Sequence, residues 1–118
     1  MATEKKSAKT LKAKCDKLAS LVCRSIGKCE AEGHGPCGGG LEWCHLVSRG
    51  VLRIRYAPEN CVCMCHVHHK HFTMYPAAFV RFIEKKYPGR WDDLHYRAKH
   101  DPKVDYDLVI EELTKRAA

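Results

Sequence analysis

The densest group of residues that could do chemistry is the stretch ENCVCMCHVHHKHF, residues 59–72. Cysteines stand at the alternate positions 61, 63 and 65, and histidines follow at 66, 68, 69 and 71. Structural zinc is usually held by two pairs of Cys or His ligands, with a short gap inside each pair and a longer gap between the pairs. Cys65 and His68 form one such pair, C-x2-H.

A second pair of ligands lies upstream, at Cys29 and Cys37 in the glycine-rich stretch CEAEGHGPCGGG. Seven residues separate these two cysteines, which is more than the usual two to four, but the glycines can fold the excess into a bulge. The sequence therefore predicts a structural zinc site made of Cys29, Cys37, Cys65 and His68. His34 is an alternative ligand in place of either upstream cysteine.

The chain has eight cysteines in all, a number that would suit a disulfide framework in an exported protein. In a reducing compartment, cysteines beside histidines more often hold metal. Cys61 and Cys63 alternate as on one face of a core strand, so the alternative for them is a small buried hydrophobe. A redox or metal-storage protein is disfavoured because the sequence contains no C-x-x-C pair.

The length, charge and hydrophobicity of the chain limit its number of domains, its partners and its location. A chain of 118 residues is predicted to form a single domain, residues 1–118. Residues 1–28 carry eight Lys/Arg against two acids, which suits contact with phosphates or, equally, a solvated helix. No run of eighteen apolar residues and no secretory signal is found, so we expect no membrane contact and a cytoplasmic, intracellular location.

The elements that must position these residues follow from periodicity and from turn residues. An amphipathic helix is predicted over residues 7–26, with its apolar stripe on Leu11, Cys15, Leu18 and Val22. A loop follows, and then two strands joined by a long connection that carries arginines. The predicted bounds are 29–40 for the loop, 41–48 and 60–65 for the strands, and a helix from His66, followed by helices near 76–87, 91–98 and 104–116.

The order of motifs carries a resemblance that spacing alone does not. The motifs are Cys29…Cys37-Gly38, Leu41-Glu42-Trp43-Cys44-His45-Leu46-Val47-Ser48-Arg49, Arg55-Tyr56-x-x-Glu59-Asn60 and Cys65-x2-His68-His69. Together they resemble an HNH endonuclease of the ββα-metal, or His-Me finger, class. More narrowly, they are similar to the small phage and prophage recombination nucleases of the NinG/Rap type. The similarity runs from about residue 11 to residue 98.

The resemblance implies an α+β fold: a small zinc-stabilised ββα-metal (HNH) domain flanked by an N-terminal helix and C-terminal helices. In this scheme residues 1–28 form the basic N-terminal helix. Residues 29–75 form the zinc knuckle and the ββα-metal core, and residues 76–118 form the C-terminal helices.

The resemblance also implies the roles of three residues. His45 matches the first histidine of the motif and would be the general base that takes a proton from water. Asn60 would fix the loop between the strands and thereby orient the imidazole. His69 would bind a catalytic divalent ion, with His71 as an alternative two places later and His66 as a neighbouring competitor.

Contacts with the substrate and the working metal follow in the same way. Arg49, Arg53 and Arg55 are predicted to contact phosphates, because a guanidinium can hold two phosphate oxygens. Many HNH enzymes have Asp immediately before the base, where this chain has Cys44. A thiolate is a poor ligand for Mg²⁺, which leaves two alternatives. Either His69 holds Mg²⁺ or Mn²⁺ with water and substrate phosphate, with Asn60 as a further ligand, or the enzyme works better with Mn²⁺, Ni²⁺ or Zn²⁺.

The function implied is metal-dependent hydrolysis of DNA phosphodiester bonds, in duplex or branched DNA, during phage recombination or DNA processing. Such a protein would nick one strand, and cutting both strands would require a homodimer or two visits. The alternative is a zinc-dependent nucleic-acid-binding module without catalysis, which explains the basic N-terminus and the zinc ligands but not the order of His45, Asn60 and His69.

Overall fold

The computed structural model describes residues 7–118, so the first six residues of the predicted basic segment lie outside the described part. Within that part the fold is α+β, with five α-helices and a two-stranded antiparallel sheet. The elements in chain order are α1 Ala8–Arg24, β1 Leu41–His45, β2 Cys61–Cys65, α2 His66–Met74, α3 Pro76–Lys86, α4 Arg90–His100 and α5 Tyr106–Ala117.

Helix α1 begins where Ser7 caps it, because the Ser7 hydroxyl accepts a hydrogen bond from the Thr10 amide at 3.2 Å. The face that it buries overlaps the predicted stripe, since Cys15 is buried and Leu18 and Val22 are partly buried against the same cluster. The buried positions are Cys15, Ala19 and Cys23, while the apolar residues Leu21 and Ile26 are each 50 % exposed. The helix packs mainly against α5. The residues that it buries are small and lie one turn apart.

The two strands pair in a register that brings Leu41 opposite Cys65 and His45 opposite Cys61. The first strand is shorter than predicted and ends at His45, because the chain turns into a loop that returns to the sheet at Cys61. Two short 3₁₀ turns, Leu52–Ile54 and Pro58–Asn60, shape this loop. The arginines that alternate along it therefore lie on turns and not on the solvated face of a strand.

The buried residues form two groups, one on each side of the sheet. The larger group joins the sheet to α2, α3 and α4, and the smaller joins α1 to α5 around Tyr56. The largest fully buried apolar side chains of the first group are Ile54, Val62, Met64, Ile83 and Leu94. The second strand is buried from Val62 to Cys65, so both of its faces are covered, whereas the alternation of Cys61 and Cys63 indicated one buried face.

A proline, a glycine and an aspartate mark the bounds of the C-terminal helices. Pro76 stands in the first turn of α3, where its missing N–H is not needed. Gly89, with φ +83°, makes the sharp connection to α4. The last helix starts later than predicted, at Tyr106, because the Asp105 carboxylate accepts a hydrogen bond from the Leu108 amide at 3.2 Å. Among residues 7–118, no helix is long and apolar enough to cross a membrane.

Candidate functional site

Four side chains from three separate parts of the chain converge at the start of α2. The sulfur atoms of Cys29, Cys37 and Cys65 and the Nδ1 atom of His68 all lie within 4.8 Å of one another. The His68 Nδ1 atom is 3.4, 3.6 and 3.2 Å from these sulfurs in that order. Bonds of about 2.0–2.3 Å to tetrahedral zinc require ligand atoms roughly 3.5 Å apart. The predicted ligands are therefore close enough to coordinate a metal such as zinc.

The glycine-rich loop comes close to α2 because two of its glycines lack side chains. A Cβ atom added at Gly38 would stand 2.8 Å from Cγ2 of Val67, and one added at Gly39 would stand 2.7 Å from Cβ of His66. The amide of Val67 donates to the Gly38 carbonyl at 3.1 Å. These contacts hold Cys37 next to the first turn of α2, and the seven residues between the two cysteines fold largely into turns and bends.

His68 is oriented by a contact on the far side of its ring. A carbonyl oxygen can only accept, so Nε2 of His68 donates to the main-chain oxygen of His34 at 3.3 Å. The neutral ring then carries its lone pair on Nδ1, which faces the sulfurs. The His34 ring itself packs edge-on against Phe82, 5.2 Å between centroids. The cluster therefore uses the backbone of His34, and the His34 side chain replaces neither Cys29 nor Cys37.

The thiol of Cys65 is placed to ionise. Burial raises its pKa, but backbone N–H donors of His68 and Gly38 and the thiols of Cys29 and Cys37 outweigh that effect and lower the pKa to about 6. The thiolate is the form that binds metal. Cys65 also caps α2, so the same sulfur serves the helix and the cluster.

Asn60 is fully buried and holds the long loop together. Its Oδ1 accepts from the Val47 amide at 2.7 Å, and its Nδ2 donates to the carbonyls of Val47 and Ile54 at 3.2 and 3.1 Å. The amide group of Asn60 thus ties the end of the loop to its start at Val47 and to its middle at Ile54. Both polar atoms of the side chain are engaged inside the fold, and the structure gives no support for Asn60 as a metal ligand.

His45 stands at the end of β1, beneath this loop. Its Nε2 donates to the Arg55 carbonyl at 3.0 Å, and its ring packs on Trp43 with centroids 4.2 Å apart. Burial lowers the pKa of His45 to about 4, although the bond to the carbonyl opposes this shift, and the charges of Arg49 and Arg55 contribute to it. His45 is therefore neutral at pH 7, with its lone pair on Nδ1.

His45 and His69 line the same cleft. It has a volume of about 360 Å³ and lies between β1, α2 and α3. Cys44 also lines it, but burial raises the pKa of this thiol to about 12, so it remains protonated. A wider cleft of about 560 Å³, between the 52–59 loop and α5, has no histidine or cysteine in its lining and offers no comparable chemistry.

The other histidines of residues 59–72 do not line the cleft that His45 and His69 share. His71 is exposed and packs against Phe72 and Tyr75. His66 is exposed as well and lies beside Glu42, 3.2 Å from its carboxylate. Of the alternatives that the sequence left open, only His69 shares the cleft with His45.

The three arginines predicted to contact phosphates are placed differently from one another. Arg49 is exposed above Trp43, and Arg53 is exposed with one N–H donating to the Asp101 carbonyl at 3.1 Å. Arg55 is only 6 % exposed and forms an ion pair with Asp16 at 2.8 Å. Its guanidinium is engaged inside the fold, whereas Arg49 and Arg53 are the solvent-facing candidates for the predicted contacts with phosphate.

Glu42 is a residue whose place in the site the sequence did not reveal. Its carboxylate accepts hydrogen bonds from His69 and His66. Although burial raises the pKa of Glu42, these two bonds outweigh it and hold the pKa below its ordinary value. Strand alternation was the available signal, since Glu42 and Cys44 are two residues apart and project from the same face of β1.

Comparison with known proteins finds no matching family model, no matching curated protein and no matching solved structure. What the described residues define is an α+β protein in which a Cys/His cluster suited to a metal lies beside a histidine-lined cleft.

Proposed function

We propose that this protein is a metal-dependent endonuclease of the HNH type, which hydrolyses phosphodiester bonds in DNA. The observation that carries the proposal is the shared cleft of His45 and His69, beneath a loop that Asn60 pins from inside. A neutral base and a ligand for a divalent ion facing one space are the groups that phosphodiester hydrolysis needs.

His45 would act as the general base. Its Nε2–H is occupied by the Arg55 carbonyl, so Nδ1 is the atom that can accept a proton. Nδ1 takes that proton from a water molecule as the water oxygen attacks phosphorus in line with the departing 3′ oxygen. The bond between phosphorus and the 3′ oxygen breaks, and the 3′ oxygen takes a proton from solvent water while His45 returns its proton to solvent. The products are a 5′-phosphate and a 3′-hydroxyl.

His69 would hold the catalytic ion, together with water and phosphate oxygens of the substrate. When bound there, a divalent ion stabilises the negative charge that develops on the phosphate and on the leaving oxygen. The donor available from His69 is an imidazole nitrogen, and the neighbouring Cys44 thiol stays protonated. Such a site suits Mn²⁺, Ni²⁺ or Zn²⁺ better than Mg²⁺, which prefers carboxylate oxygens.

A zinc ion in the Cys/His cluster would help to position the catalytic site through the backbone of α2. His68 belongs to the Cys/His cluster and His69 is the next residue of the same helical turn. A metal that fixes His68 therefore also fixes the direction in which His69 points.

DNA would approach the side of the molecule that carries Arg49 and Arg53. Both guanidinium groups are exposed, and the chain has a formal net charge of +7. Contacts of this kind release counterions, so binding should weaken steeply as salt rises. The resemblance to phage recombination nucleases makes duplex and branched DNA the substrates to test first, and two copies of the chain would be needed to cut both strands together.

A panel of end-labelled duplex, branched and single-stranded DNA, each incubated with Mn²⁺, Ni²⁺, Zn²⁺, Mg²⁺ or EDTA, tests the proposal. We expect cleavage that EDTA abolishes, with products that DNA ligase can reseal because they carry 5′-phosphate and 3′-hydroxyl ends. Binding of every substrate by gel shift, without cleavage under any metal, would instead support a zinc-dependent nucleic-acid-binding module.

A further inference from the structure

Glu42 joins two histidines of α2 through the two oxygens of its carboxylate. Oε1 lies 2.9 Å from Nδ1 of His69, and Oε2 lies 3.2 Å from Nδ1 of His66. An ionised carboxylate can only accept hydrogen bonds. The contact with His69 therefore requires a proton on Nδ1, and in the neutral ring the lone pair is then on Nε2.

The lining of the cleft indicates where the Nε2 edge of the His69 ring points. His69 lines it together with His45 and Cys44, whereas Glu42 does not. The Nδ1 edge of His69 is thus turned toward Glu42, outside the cleft, and the edge that carries Nε2 is left for the cleft. An ion bound by this lone pair would lie on the side of His45.

Glu42 is itself held in place. It lies on β1 opposite Met64, which is fully buried on β2. Its second oxygen is occupied by His66, so rotation about the end of the side chain is restricted. An acceptor fixed at both oxygens on a strand is a firmer support for an imidazole than a freely rotating surface carboxylate.

We infer that Glu42 is a positioning residue that fixes His69 as the Nδ1–H tautomer and thereby presents Nε2 to the divalent ion in the cleft. The metal half of this inference rests on the function proposed above. The tautomer half concerns only the protein's own residues and is measurable without any catalytic ion.

The tautomer is read directly from the ¹⁵N chemical shifts of the imidazole nitrogens in zinc-loaded protein, at about pH 8 where neutral imidazole predominates. We expect His69 to carry its proton on Nδ1 in the wild type and in Glu42→Gln, whose amide oxygen can still accept. Glu42→Ala should shift the proton toward Nε2. A wild-type proton on Nε2, or an Nδ1 proton that survives in Glu42→Ala, would overturn the inference.

Binding of Mn²⁺, followed by electron paramagnetic resonance, separates positioning from direct ligation. Loss of such an outer hydrogen bond typically weakens a metal about 10- to 100-fold, which we expect for Glu42→Ala but not for Glu42→Gln. The matched control is Glu84→Ala, an exposed carboxylate on α3, which should leave binding unchanged. Equal losses in Gln and Ala would make Glu42 itself a ligand and refute the positioning role.

The two proposals can fail separately. If the DNA panel shows no cleavage while the ¹⁵N shifts follow the expected pattern, the nuclease function fails and the orientation of His69 by Glu42 remains. If cleavage is found but the tautomer does not respond to Glu42→Ala, the nuclease function remains and the inference about Glu42 fails.

Discussion

Replacing Asn60 with Ala should both destabilise the protein and disturb His45, the base of the proposed nuclease site. The Asn60 side chain makes three buried hydrogen bonds, one from the Val47 amide and two to the carbonyls of Val47 and Ile54. The Ile54 carbonyl is next to Arg55, whose own carbonyl accepts from His45. Truncation at position 60 thus releases the segment that orients the imidazole.

The size of the effect follows from these contacts. Each hydrogen bond contributes about 1 kcal/mol net to the free energy of unfolding, and groups left buried without a partner cost more, so the variant should lose about 3–5 kcal/mol of that free energy. At about 0.05–0.15 kcal/mol per residue, the free energy of unfolding of a chain of 118 residues is roughly 6–18 kcal/mol. The variant should fold, but with its Tm lowered by about 12–20 °C, since the unfolding entropy is about 0.25 kcal/mol per degree at this length.

Thermal unfolding of the zinc-loaded proteins, followed by circular dichroism, measures this loss. Ser48→Ala is the matched control in the same loop. Its exposed hydroxyl accepts from the Gly50 amide at 3.2 Å, and its removal should lower the free energy of unfolding by under about 0.5 kcal/mol. If Asn60→Ala is no more destabilised than Ser48→Ala, the three bonds do not hold the loop and the reasoning fails.

Three further predictions concern the metal cluster, the buried histidine and the buried ion pair. Cys65→Ser should fail to retain zinc on metal analysis and lose cooperative unfolding, whereas Cys61→Ser, outside the cluster, should retain it; equal zinc contents would contradict the ligand set. Because the pKa of His45 is about 4 in the fold and about 6.5 when unfolded, its neutral form contributes stability that is complete above about pH 6.5 and is lost as pH falls toward 4. Urea unfolding should therefore show the wild type losing about 2 kcal/mol more than His45→Gln between about pH 6.5 and 4.5, and parallel pH profiles would argue against it. Asp16→Ala leaves the buried Arg55 charge without its partner and should cost about 2–4 kcal/mol in urea unfolding; a loss under about 0.5 kcal/mol would show that the pair contributes little.

The Cys/His cluster could be predicted from the sequence because ligand spacing is a local property. The C-x2-H pair places Cys65 at a strand end and His68 in the first helical turn, and the structure confirms that Cys29 and Cys37 join them. The broad α+β architecture follows for a similar reason, since Pro76 and Gly89 act at the positions where they stand in the chain.

The details that the sequence did not predict depend on contacts between distant residues. Periodicity within α1 predicts only part of the face that this helix buries, because it cannot reveal the packing against α5. Arg55 looks like a surface residue until Asp16, 39 residues away in the chain, is found beside it. Glu42 likewise acquires its contact with His69 only when the hairpin folds against α2.

The central claim is that the cleft of His45 and His69 is the active site of a nuclease. The most direct test is the nicking of supercoiled plasmid with Mn²⁺ by the zinc-loaded wild type and by His45→Ala, His69→Ala and His71→Ala. His71 is the matched control, an exposed histidine on the same helix that does not line the cleft.

We predict that the wild type and His71→Ala convert the plasmid to open circles at similar rates. His45→Ala should be slower by about 10²–10⁴-fold, the usual contribution of a general base, and His69→Ala should show a comparable loss. Nicking that survives in both His45→Ala and His69→Ala, or a wild type that leaves the plasmid supercoiled while still binding it, would contradict the assignment of this cleft as a nuclease site.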